Sequence, residues 1–263
     1  MFDSVDWRLF LLLVTAGFVG LLSVVPLKTQ FFELTTKRPE SKTKKSEHIR
    51  TQVTAFGTKL PLLVVAVWGG LLLSKDLGLV AAPLMDSFLN RTEAAYFLKT
   101  VTVSILSGLS VGAIISLLML FGTRESGPDF FSIPLWKRQL AGLFYGGIVE
   151  ELLFRLFLLS FLAWSVSSVF GLQARPLISE VFWTANIVSA LLFGVAHLPS
   201  SAALGALTKK SIALTILLNG FAGLVYGYLF WQSGIEAAML AHMSTHVVLQ
   251  PCMRWLLRVL KTA

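Results

Sequence analysis

The stretch Ile148-Val149-Glu150-Glu151-Leu152-Leu153-Phe154-Arg155 stands in the middle of an otherwise apolar run, and its reading decides the fold. Two adjacent carboxylates and a guanidinium occupy positions where a membrane-spanning helix would hold only residues such as Leu, Phe and Gly. A charged side chain at bilayer depth costs at least ~2.5–3.5 kcal/mol even on lenient insertion scales, so these three must face protein or water. Glu151 and Arg155 are four residues apart and share a helix face, which lets them pair. Glu150 is turned by roughly 100° from Glu151 and has no helical partner. The stretch therefore offers one carboxylate with a fixed counter-ion and one without.

The surrounding chain calls for a bilayer. Of its 263 residues 55% are hydrophobic and 14% charged, with a mean hydropathy of +0.75, whereas a soluble domain carries about 25% charged residues. Hydrophobic segments follow one another without a long polar region. The expected fold is all-α: one polytopic transmembrane helix bundle of about seven to eight helices, with the active site in a membrane-embedded cavity. The net charge of +8 gathers in one loop and the C-terminal tail, where positive-inside topology accounts for it, so nucleic acid is not an expected partner. The single Cys252 excludes an internal disulfide and any multi-Cys metal site. Leu9–Leu22 is apolar, but what precedes it is more acidic than basic and no small-x-small site follows, so it reads as a retained helix and not as a signal peptide.

Apolar segments are expected at Arg8–Leu27, Leu60–Leu73, Val101–Phe121, Leu140–Val166, Val181–Leu198, Ile212–Trp231 and Ile235–Leu249. Residues 28–59 carry Lys28, Lys37, Arg38, Lys42, Lys44, Lys45, Arg50 and Lys59 and are expected to form a basic cytoplasmic loop. Gly122–Arg138 is a polar connection ending in the basic pair Lys137-Arg138, which returns the chain to the cytoplasm. Pro199 predicts a stop after the fifth segment, and Pro251 an interruption of the seventh. The loop charges alternate consistently from an external N-terminus. Three units follow: 1–135, N-terminal helices with the basic loop at 28–59; 136–256, a core; and 257–263, a basic tail. Trp7, Trp136, Trp231 and Trp255 read as interface anchors, and Glu236 as a helix-start charge.

Beyond the opening stretch and Glu236, the ionisable groups inside the apolar segments are His197, His242 and His246; the fourth histidine, His48, lies in the basic loop. His242 and His246 share one helix face. Glu150 lies some ~15 Å from the start of its segment at 1.5 Å per residue. A carboxylate with imidazoles in a low-dielectric pocket is a kit for hydrolysis: the carboxylate takes a proton from water with one imidazole helping, and the others stabilise the oxyanion. No Ser-His-Asp or Cys-His arrangement competes. The same histidines would also suit zinc, although an H-E-x-x-H pattern would need Glu where Met243 stands.

Glu150-Glu151-x-x-x-Arg155, then Phe193-x-x-x-His197, then His242-x-x-x-His246, in this order on separate helices, resembles the CPBP family, the type II CAAX prenyl endopeptidases and bacterial Abi or lysostaphin-resistance-like membrane proteins. The resemblance runs from Trp136 to Arg254. It implies that Glu150 is the general base working with His197, that Glu151 and Arg155 support that base, and that Phe193 and Phe154 line the substrate pocket. His242 would act on the oxyanion together with His246, which stands where the family usually has Asn or Asp and still has a hydrogen to donate. The implied protein is an intramembrane endopeptidase that cuts a CaaX-type or other membrane-associated protein, by a glutamate-activated water and without a cofactor. A zinc enzyme using His197, His242 and His246 is the alternative cofactor reading. A non-catalytic membrane scaffold or immunity protein, or a proton path, are the other functional ones. The expected location is a bacterial cell membrane, spanned several times, with a peptide or membrane protein and the lipid bilayer as partners. The sequence leaves the oligomeric state open.

Overall fold

The computed structural model describes residues 5–35, 42–85, 94–120, 133–172, 176–204 and 207–262, and among these the secondary structure is helical with no strand. In chain order the helices are α1 (Trp7–Ser23), α2 (Val25–Thr35), α3 (Lys42–Asp76), α4 (Ala94–Leu120), α5 (Leu135–Val169), α6 (Ser179–Ala196), α7 (Leu198–Leu204), α8 (Lys209–Ser233) and α9 (Ile235–Thr262). Six stretches among the described residues are long and apolar enough to cross a membrane. The chain is a multi-pass membrane protein. Its outer surface agrees, because Leu11, Leu62, Val65, Leu106, Leu117, Leu191 and Leu217 are each at least half exposed and would sit against lipid tails.

The long rod α5 is the centre of the bundle. Its first half packs on α1 and α9, its second half on α3 and α6, while α4 lies along α9 and α8 along α6. Leu152, Leu156 and Leu159 of the rod are fully buried, together with Phe182, Leu63 and Val67. Most of the rod between Ala141 and Leu159 is wound with i→i+5 hydrogen bonds instead of the α-helical i→i+4 pattern. Such π winding occurs mostly as single turns and is frequent at functional sites.

Several expectations change. The basic region 28–59 is helical over most of its described length, in α2 and in an α3 that starts at Lys42. Between Lys42 and Gly57 there is neither Gly nor Pro, and Lys, Glu, Gln and Arg are good helix formers. Neither Pro61 nor Pro251 ends its helix; in membrane helices neighbouring groups can re-satisfy the backbone that a proline frees. Pro199 behaves as expected, since α6 stops at Ala196 and α7 takes the proline in its first turn. Of the polar connection Gly122–Arg138, residues up to 132 lie outside those described. Arg138 is buried, at 0% exposure. Glu236 does more than start α9, because its Oε1 accepts a hydrogen bond from the Met85 amide at 2.9 Å. The adjoining Gly234 has φ 82°, a conformation that glycine tolerates, where α8 turns into α9. Trp231 is stacked on Phe182 at 4.0 Å.

Candidate active site

The cluster forms where the π-wound part of α5 meets the C-terminal end of α6 and the third and fourth turns of α9. His197 is the residue immediately after α6, in the C-cap position. Its Nδ1 lies 2.8 Å from the Phe193 carbonyl. A carbonyl can only accept, so Nδ1 carries a hydrogen and Nε2 is left to face the cluster. That Nε2 lies 3.7 Å from Glu150 Oε2. The gap is too long for a direct hydrogen bond, and it is the kind of spacing at which a water can join two acceptors from the side.

Glu151 has different surroundings. Its side chain is fully buried, against 18% exposure for Glu150 and 27% for His197. Its Oε1 accepts from Arg155 Nη1 at 3.1 Å and from His242 Nδ1 at 2.6 Å. The i, i+4 pairing expected with Arg155 is present. Support by Glu151, however, goes to His242 and not to Glu150, because neighbouring residues on a helix point to different sides. Glu150 and His197 both have open surface to meet a water.

Aromatic rings enclose the charges. The Arg155 guanidinium lies over the Phe193 ring at 4.2 Å and near Tyr226 at 5.3 Å. Phe193 meets His197 edge-on at 4.6 Å and Phe154 at 5.1 Å. Both phenylalanines singled out in the sequence therefore adjoin the cluster, though Phe193 also carries Arg155 on its face. His242 is stacked between Tyr226 at 4.7 Å and His246 at 5.1 Å. The rings of His242 and His246 approach α5 across Gly142 and Gly146. A methyl group on Gly142 would stand 2.6 Å from His246 Cγ, and one on Gly146 3.0 Å from His246 Nε2 and 3.3 Å from His242 Nε2. Both Nε2 atoms thus reach the same small face of the rod.

Several participants were not picked out from the sequence. Tyr226 holds His242 from behind, and its hydroxyl donates to Thr245 Oγ1 at 2.7 Å. Ser189 Oγ donates to the Phe154 carbonyl at 2.9 Å and ties α6 to the π-wound segment. Lys59 Nζ donates to the Tyr145 hydroxyl at 3.0 Å, five residues before Glu150, so the basic end of α3 adjoins the cluster. The i, i+4 glycines Gly142 and Gly146 were the available signal. A cavity of about 250 Å³, lined in part by Tyr96, Leu177, Trp231 and Gln232, lies at the other end of α6 and α8.

The zinc alternative wants His197, His242 and His246 around one point. Among the described residues no group of three or more His, Cys, Asp and Glu side chains is arranged to hold a metal ion. His197 stands with Glu150, whereas His242 has Glu151 on Nδ1 and His246 at its ring face.

The helical membrane bundle thus holds a partly exposed acid and imidazole beside a buried acid, arginine and imidazole. The family model described as type II CAAX prenyl endopeptidase Rce1-like matches residues 132–248. This bears out the resemblance to the CPBP family over a stretch a little under half of the chain, which includes all of Glu150, Glu151, Arg155, Phe193, His197, His242 and His246. No curated protein and no solved structure gives a match. The family match supports a CAAX-type intramembrane protease activity with peptide or membrane-protein substrates.

Proposed function

We propose that this protein is an intramembrane endopeptidase in which Glu150 and His197 activate the attacking water. The supporting observation is the 3.7 Å approach of Glu150 Oε2 to His197 Nε2 at partly exposed side chains. A water beside this pair donates one hydrogen to each acceptor and directs a lone pair outward. Glu150 takes a proton as the water oxygen bonds to the peptide carbonyl carbon. The carbonyl π electrons move onto oxygen, and the resulting oxyanion is met by hydrogen from the His242 and His246 side. Collapse reforms the C=O bond and breaks the C–N bond, while the proton held by the Glu150–His197 pair passes to the leaving nitrogen. His242, whose Nδ1 is turned to Glu151 Oε1, donates from Nε2 when the proton between them rests on the carboxyl, so the ring carries no charge.

The substrate class that suits this reading is a membrane-associated protein cut near its C-terminus, at the face of the bilayer where the basic residues gather, in a bacterial cell membrane. The scheme uses no metal ion, so extensive dialysis against a chelator should leave the cleavage rate unchanged. The principal test compares cells carrying the wild-type chain with cells carrying Glu150→Gln, by mass spectrometry of membrane-associated peptides. Peptides present only with the wild type are expected, and the purified variant in liposomes should lose at least about 10²-fold in rate, the scale of a lost general base. Full cleavage by Glu150→Gln would end the proposal.

A further inference from the structure

Behind His246 runs a set of polar contacts that the hydrolytic scheme does not use. Arg138, near the start of α5, is fully buried although it lies only four residues into its helix. Its Nε donates to the Ile133 carbonyl at 3.3 Å and its Nη1 to Gln250 Oε1 at 3.0 Å. Gln250 is one turn beyond His246 on α9, and its Nε2 lies 3.4 Å from His246 Nδ1. Gln250 falls just outside the stretch that the family model matches. Three side chains from two helices are thus arranged in line, ending on one ring nitrogen.

The hydrogen positions follow from what each group can do. A guanidinium has donors only, so the Gln250 atom facing Arg138 must be the carbonyl oxygen. Turning the amide over would set NH₂ against N–H, which leaves both unpaired at a buried arginine. With the oxygen committed, the amide nitrogen faces His246, and it too can only donate. His246 Nδ1 must therefore accept, and the neutral ring carries its proton on Nε2. That nitrogen is the one beside the Gly146 face, next to His242 Nε2.

We infer that Arg138 and Gln250 are positioning residues that lock His246 as its Nε2–H tautomer, so that it presents a hydrogen to the reacting side of the cluster. An unheld imidazole samples both tautomers and loses the donor whenever the proton sits on Nδ1. The Arg138–Gln250 pair removes that freedom without touching substrate. What the donor does there rests on the peptidase reading; the tautomer itself does not.

Gln250→Glu separates this from a packing role. It keeps the side-chain shape and strengthens the contact with Arg138, so a merely structural Gln250 predicts an equally stable and equally active variant. A carboxylate can only accept, so it draws the proton to His246 Nδ1; with its charge taken up by Arg138 on the other side, the ring stays neutral and Nε2 is left bare. With ¹⁵N-histidine-labelled protein in detergent, the His246 signal is assigned by its loss in His246→Asn. Wild type should show Nε2 protonated and Nδ1 bare, and Gln250→Glu the reverse. In cleavage assays the variant should lose about 10²–10³-fold in kcat, the scale of one oxyanion donor, with KM and melting temperature near wild type. In a His246→Asn background the same change should cost no more than about twofold, as expected when no coupling remains. Arg138→Gln offers a second reading, since its amide can face Gln250 either way and should give a mixture of His246 tautomers. A wild-type His246 protonated on Nδ1, or a Gln250→Glu variant that cleaves like wild type, overturns the inference. If the wild-type protein itself cleaves nothing, the peptidase reading fails, and the nitrogen spectra still decide this one.

Discussion

Glu150 and Glu151 are neighbours in the chain and opposites in surroundings, and this difference makes separable predictions. Glu151 balances Arg155 and holds His242 inside the bundle. Its replacement leaves a buried guanidinium without its counter-charge, which in proteins costs about 3–5 kcal/mol. Glu151→Gln should therefore lower the melting temperature in detergent markedly and abolish cleavage as well. Glu150→Gln should abolish cleavage with melting unchanged, because Glu150 is partly exposed and His197 Nε2 stands off at 3.7 Å. Equal melting of the two variants would contradict the division of roles. The Glu151–Arg155 pair was legible from spacing alone, since helix geometry is local. The Glu151–His242 bond was not, because it joins residues 91 positions apart. Arg138 was read only as part of a basic pair that marks the cytoplasmic side; its burial rests on a partner in another helix, Gln250.

At the scale of the helix, the face of α5 that meets α9 depends on two absent side chains. A methyl group at Gly142 would stand 2.6 Å from His246 Cγ and 2.8 Å from its Nδ1, the atom that faces Gln250. Gly142→Ala should displace the ring and lower cleavage by at least about tenfold, the scale of a small misplacement of catalytic groups, in a protein that still folds. Gly57→Ala is the control: nothing lies within 4 Å of the added carbon, and the helix gains up to about 1 kcal/mol in propensity. Its activity should equal wild type. Helix existence in the apolar segments was readable from hydrophobicity. The π winding of α5 was not, because no residue pattern marks it, and α2 with the first turns of α3 fall in the stretch read as a cytoplasmic loop by the positive-inside rule, which concerns sidedness and not helicity. Charge reports solvation, and a solvated helix is as charged as a solvated loop.

For the molecule as a whole, the testable quantity is sidedness. The 25 residues of α8 span about 37 Å at 1.5 Å per residue, more than the ~30 Å of a hydrocarbon core. Lys209 and Gln232, both exposed, mark its two ends. In a Cys252→Ser background, Gln232→Cys in intact cells should react with a membrane-impermeant maleimide, and Lys209→Cys only after permeabilisation. Labelling of both from one side would refute the charge-derived topology, which the helix bundle alone does not orient.

The amino-acid sequence by itself determined that the chain is an all-α membrane protein, which residues are costly enough in lipid to need a purpose, and which of them pair along one helix. These follow from transfer free energies and from a 3.6-residue period, both local properties of a chain. Tertiary structure alone decided that His197 faces Glu150, that His242 takes Glu151, and that Gln250 reaches His246 with Arg138 behind it. Those contacts depend on how helices lie against one another, and the packing that sets them is a sum over the whole bundle.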